Sequence, residues 1–169
     1  MGWRVELLKQ LVEHDVRFVV VGGVAAIAHG SARVTEDLDI CAPLNHENAV
    51  KIIRALSHAN PRWRMRPDLP GVTPDHPQLK GLKNMYPATD LGQLDVLGEL
   101  MGVGGFVEAE GESEETTIAG VRCRVLNLDR LIEAKRAAGR PKDRVALREL
   151  EVIRELKRKS ERDQGWTAP

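Results

Sequence analysis

The sequence has no charge of one sign to spend. Over 169 residues, 25 Lys and Arg balance 25 Asp and Glu, for a formal net charge of zero. No global basic field draws in nucleic acid, so any such partner has to be held by a local patch. Cysteine is scarce: only Cys41 and Cys123 occur, without ligand-type spacing. Both read as reduced core residues of a cytoplasmic protein. The 5 histidines also lack metal-ligand spacing, and His29 reads as a packing or loop residue rather than a base. No Ser or Cys nucleophile arrangement is visible. A Gly-x-Gly-x-x-Gly element is absent, which argues against a Rossmann dinucleotide site. Long hydrophobic runs are missing too. The most apolar stretch, residues 16–28, is too short to span a bilayer, so no membrane partner is expected. Its end, Ala26-Ile27-Ala28, has the look of a signal-cleavage site. A signal peptide needs a basic start, and here Glu6, Glu13 and Asp15 come first.

What remains is the composition of an ordinary soluble domain, with 42% apolar and 30% charged residues. The length suits a single domain able to bury a core without staples. There is no internal repeat and no linker long enough to divide the chain. Residues 3–14 carry Val5, Leu8, Leu11 and Val12 at helical spacing. Residues 17–21 (RFVVV) read as a strand buried on both faces. Gly22-Gly23 breaks it, and residues 24–29 form a short helix. Residues 37–41 (DLDIC) are a second strand, and Asn45 caps a helix to about residue 59. Arg62 to Arg66 alternate as a half-buried strand; Arg62, Arg64 and Arg66 share a face, read as solvated rather than as an RNA-binding stripe. Residues 85–91 and 94–100 suit a hairpin turning at Gly92. Glu108, Glu110, Glu112, Glu114 and Glu115 suggest an exposed acidic stretch, and residues 116–126 give two β-type runs. Asn127 caps a helix ending at Gly139. Pro141 opens another helix to about residue 159, whose buried stripe is Leu147, Leu150, Ile153 and Leu156. This mixed order predicts an α/β (α+β) domain, with a mixed sheet flanked by helices and a C-terminal helical pair. The expected boundaries are one domain over 1–159, its core over 16–126, its helices over 127–159, and a disordered tail over 160–169.

The informative residues are carboxylates. Residues two apart in a strand project to one face, so Asp37 and Asp39 point the same way, roughly 6–7 Å apart at the backbone. Two carboxylates on one face of a short apolar strand repel unless a cation lies between them. Asp95, alone in Leu94-Asp95-Val96-Leu97, is the candidate third acid, because burying it without a partner is costly. Oxygen-only ligands suit Mg²⁺ (or Mn²⁺), held by carboxylates and substrate phosphates. A strand, Gly22-Gly23 and a helix start would leave backbone N–H groups for an anion. Missing side chains let a triphosphate approach.

This arrangement resembles the DNA polymerase β-like nucleotidyltransferases. Their pattern is a hydrophobic residue, Gly, then Gly or Ser, a spacer, an Asp-x-Asp strand and a later strand bearing a third Asp. Here these are Val21-Gly22-Gly23, Asp37-Leu38-Asp39-Ile40 and Leu94-Asp95-Val96. Arg33 and Thr35 lie in the spacer, where such proteins often carry Arg and Ser or Thr. Gly23 departs from the Ser of many members, although lincosamide-modifying members also look like Gly-Gly there. Downstream, residues 129–135 (DRLIEAK) and 140–143 (RPKD) are similar to later motifs of AbiEii-type toxin nucleotidyltransferases. The resemblance spans about residues 16–150.

It implies metal-dependent transfer of a nucleoside monophosphate from an NTP to a hydroxyl of an RNA end, a protein or a small molecule. Asp37, Asp39 and Asp95 would be catalytic and metal-binding. Gly22, Gly23, Arg33, Thr35, Lys135 and Lys142 would bind nucleotide. The setting would be toxin–antitoxin or resistance. The alternative is an inactive nucleotide-binding or toxin–antitoxin interaction module on the same fold.

Overall fold

The computed structural model describes residues 2–141 and 143–164. The valine run forms β1 (Val19–Val21), which is wholly buried, as a β-branched strand at the middle of a sheet should be. Around it lies an eight-stranded mixed sheet. β1 pairs antiparallel with β2 (Asp37–Cys41) and parallel with β10 (Val121–Leu126). β2 pairs parallel with β6 (Gln93–Leu97). On the far side of β6 lie β4 (Asn84–Met85) and β5 (Pro87–Ala88), and β5 continues to β3 (Arg62–Trp63). β9 (Ser113–Ile118) closes the opposite edge on β10. A separate two-stranded ribbon joins β7 (Glu99–Leu100) to β8 (Gly104–Gly105).

Among the described residues, six helices surround this frame. α1 (Gly2–Glu13) packs on α3 (His46–Leu56) and buries Leu7, Leu8 and Leu11. α2 (Gly22–Ala28) lies on β1 and β2. α5 (Leu128–Ala138) rests against α2 and pairs with α6 (Asp143–Gln164). The expected caps are present. The Asn45 and Asn127 side chains each accept a backbone N–H three residues on, and Gly139 ends α5 with φ of 62°. Cys41 and Cys123 are buried and free. Burial pushes their thiols up, to about 12 and about 11, with nearby Glu108 adding to the first. Among the described residues, no helix is long and apolar enough to cross a membrane.

Several expectations are corrected. The acidic stretch is not exposed throughout: Glu110 and Glu112 are half-buried, and residues 106–111 form α4 (Phe106–Gly111), because Phe106 and Ala109, three apart, bury one helical face. Its glutamates are paired, Glu110 with Arg17, Glu112 with Arg130, and Glu115 with Arg122 on the neighbouring strand. The Arg62–Arg66 alternation stops after Trp63, where the Arg66 N–H bonds the Trp63 carbonyl and closes a turn that leaves Met65 exposed. The expected second hairpin strand does not run on to Leu100: β6 ends at Leu97, and Glu99–Leu100 joins the separate ribbon. α6 starts at Asp143 rather than Pro141 and runs to Gln164, so residues 160–164 are helical rather than tail. Along it Leu150 is fully buried, but Leu156 is 61% exposed, because the helix passes beyond the edge of the core.

Candidate active site

Period and register build the site together. Leu38, Ile40, Leu94 and Val96 are fully buried on one face of β2 and β6, while Asp37, Asp39 and Asp95 fall on the other. The parallel register sets Asp39 directly beside Asp95 and Asp37 beside Gln93. Asp39 thus lies among like charges and is largely shielded from water. Burial first, then Asp95 and Asp37, lift its carboxyl from the ordinary 3.8 to about 6. Two groups act the other way: the backbone N–H of Gly23, which donates to the Asp39 carboxylate, and the positive charge of Lys135.

Both glycines are required by close approach. A Cβ on Gly22, whose φ is +62°, would lie 2.1 Å from Asp39 Oδ2. A Cβ on Gly23 would lie 2.4 Å from Thr35 Oγ1. The Thr35 side chain therefore fills the space a serine at 23 would need. This explains the departure from the Gly-Ser pattern: the hydroxyl beside the turn comes from the spacer instead.

The spacer between α2 and β2 is fastened at both ends. Glu149 of α6 accepts from the Ser31 hydroxyl at 3.0 Å and from the Ala32 N–H at 2.9 Å. Arg4 of α1 donates to the Thr35 carbonyl, and the Thr35 hydroxyl donates to the Asp37 carbonyl at 3.2 Å. Arg33 lies between these ties, exposed. Lys135 is nearly buried, with its ammonium 3.4 Å from Asp143 and its charge felt at Asp39. Burial alone would raise the Asp143 carboxyl. The hydrogen bond from Arg140 at 2.6 Å and the Lys135 charge outweigh it and hold the group low. Arg136 points elsewhere, to Glu151. Lys142 lies outside the described residues. His29 is a packing residue whose Nε2–H donates to the Leu126 carbonyl at 2.8 Å.

Asp95 carries a partner that sequence reasoning missed. Arg64 donates from Nη2 to Asp95 Oδ1 at 2.7 Å and from Nη1 to Gln93 Oε1 at 2.6 Å. The basic alternation at 62–66 was the available signal, but its solvated reading fails for Arg64, which is 24% exposed at the side chain. Arg62 and Arg66 are spent on Asp90 and Asp68. The three acids do not form a ready-made cage: among the described residues, no group of three or more His, Cys, Asp or Glu converges as a metal site. The Asp39–Asp95 pair still suits a hard cation, since Mg²⁺ is commonly held by one or two carboxylates plus substrate phosphates. The Asp39 carboxyl is raised chiefly by burial, and the neighbouring Asp95 and Asp37 charges add to it.

No protein-family model matches the chain, and no curated protein matches it in sequence. Solved structures do match. One is TM1012 of Thermotoga maritima, designated a nucleotidyltransferase, with TM-score 0.53 and 18% identity over 86% of this chain and 88% of that one. Another is the solution structure of the antibiotic-resistance factor ANT(2'')-Ia, with TM-score 0.60 and 17% identity over 96% and 93%. A third, ANT(2'')-Ia in complex with adenylyl-2''-tobramycin, gives TM-score 0.57 and 17% identity over 93% and 95%. The chain therefore has the nucleotidyltransferase fold, as the arrangement around Gly22-Gly23 and Asp37-x-Asp39 implied.

Proposed function

We propose that this protein is a nucleotidyltransferase that moves a nucleoside monophosphate from an NTP to an acceptor hydroxyl, with a divalent cation, Mg²⁺ or Mn²⁺. The observation that carries the reading is the register: Asp39 lies directly beside Asp95 on parallel strands, with the Gly22-Gly23 turn against the Asp39 carboxylate. Asp39 and Asp95 would hold the cation, with Asp37 beside them on the same face. The bound cation supplies charge neutralisation for an in-line displacement. Lys135 would balance triphosphate charge from the α5 side, as Arg33 and Lys142 would from the flanks. Asp95 would orient the acceptor hydroxyl and take its proton as that oxygen attacks the α-phosphorus and pyrophosphate leaves. Positioning and charge account for most of the rate in such a transfer.

For the acceptor, the favoured class is a small hydroxyl compound. Two of the matched structures belong to an antibiotic-resistance factor, one of them carrying adenylyl-2''-tobramycin, and this chain is covered almost end to end by both. An RNA end or a protein hydroxyl, in the toxin–antitoxin setting suggested by residues 129–143, is the competing acceptor. The test is incubation with each α-labelled NTP and Mg²⁺ or Mn²⁺ against three acceptor pools: aminoglycosides and lincosamides, total RNA, and protein extract. Label on a small molecule, lost in Asp39→Asn, is the expected result; label on RNA or protein redirects the acceptor. Absence of NTP binding and of label in every pool would leave an inactive interaction module on the same fold.

A further inference from the structure

The acids of the site are flanked by two cationic side chains, on opposite sides. Lys135 approaches Asp39 from α5. Arg64, from the turn after β3, takes Asp95 and Gln93, which lie two apart on the same face of β6. Its guanidinium is well placed to stay: its backbone N–H bonds the Tyr86 carbonyl at 3.1 Å, and its Cζ lies 5.4 Å from the centre of the Tyr86 ring. Asp95 Oδ1 thus already has a charge-assisted bond from a planar fork, and the ion pair is mostly shielded, at 24% and 20% side-chain exposure.

We propose that Arg64 is an internal counter-ion that competes with the divalent cation for Asp95, so that the protein binds metal weakly until a nucleotide brings it. The inference rests on the metal-dependent reading of this site. A cation arriving at Asp95 meets a positive charge bonded to the same carboxylate, so it either displaces the fork or binds against its repulsion. Both raise the dissociation constant. A nucleotide adds phosphate ligands to the cation and overcomes that competition. Arg64 is a positioning residue: it acts through Asp95.

The experiment is calorimetric titration of the full chain with Mn²⁺ alone, then in the presence of a non-hydrolysable NTP. Arg64→Gln should bind Mn²⁺ alone on the order of tenfold more tightly than the unmutated protein, by loss of the competing charge. Arg64→Lys, which keeps the charge without the fork, should fall between them. Should Arg64→Gln fold poorly, Gln93→Ala removes one anchor of the fork and should still tighten Mn²⁺ binding by a smaller factor. Unchanged or weaker Mn²⁺ binding in Arg64→Gln and Gln93→Ala, while the unmutated chain binds Mn²⁺ with nucleotide, overturns the counter-ion role and leaves the transferase reading intact. Failure of every protein to bind Mn²⁺, with or without nucleotide, overturns both.

Discussion

Asp39 offers the sharpest test of the carboxylate cluster, because its environment makes a signed pH dependence. A carboxyl lifted from 3.8 to about 6 has its charged form disfavoured by up to about 3 kcal/mol, at ~1.4 kcal/mol per tenfold. Between these two values the folded chain holds a proton that the unfolded chain has released. Stability therefore falls as pH rises through that window, and above it the full penalty applies. Asp39→Asn has no proton to lose. In metal-free buffer with chelator, the variant should match the parent near pH 4 and exceed it by about 2–3 kcal/mol near pH 7. At this chain length that corresponds to roughly 5–10 °C in thermal midpoint. Asp143, Glu112, Asp68 and Asp90, all held low, contribute the opposite slope. That contribution is common to both proteins and cancels in the difference. The assay is urea denaturation of both proteins at half-unit steps of pH. A difference that does not change with pH, or a variant less stable near neutrality, would refute the reasoning. Adding Mn²⁺ with nucleotide should then reverse the order near pH 7, since only the parent gains from binding.

Two further outcomes are expected. Lys135→Ala should weaken NTP binding at least about tenfold, equivalent to about 1.4 kcal/mol, while Arg136→Ala, whose guanidinium lies on the exposed side with Glu151, should change it little. Fluorescence titration with a labelled NTP checks this, and equal effects of the two would move the phosphate partner elsewhere. Gly23→Ser should lower stability by about 1–3 kcal/mol, because its Cβ meets the Thr35 side chain, and Gly23→Ser with Thr35→Gly should recover most of that loss. Additive losses in that double-mutant cycle would show that Thr35 does not fill the serine's place. Asp95→Asn is a different case from Asp39→Asn: it removes a repelling charge but also gives up the Arg64 ion pair.

Features that repeat along the covalent chain are legible in the sequence. A strand's period of two puts Asp37 and Asp39 on one face whatever else the fold does. The β-branched run at Val19–Val21 reads as a buried strand, and Asn45, Asn127 and Gly139 mark helix ends by local hydrogen-bonding and φ preferences. Short elements are not legible: α4 buries only Phe106 and Ala109, too few positions to establish a helical period against a run of glutamates. The rest depends on contacts between distant segments. Register alone places Asp95 beside Asp39, and a slip of one residue would have sent it to the core face. Only packing decides that Thr35 fills the space at Gly23, and that of three alternating arginines Arg64 alone reaches Asp95. The sequence by itself determined that Asp37 and Asp39 share one face of their strand. The tertiary structure decided their partners, because charge and close contact act through space while propensity acts along the chain.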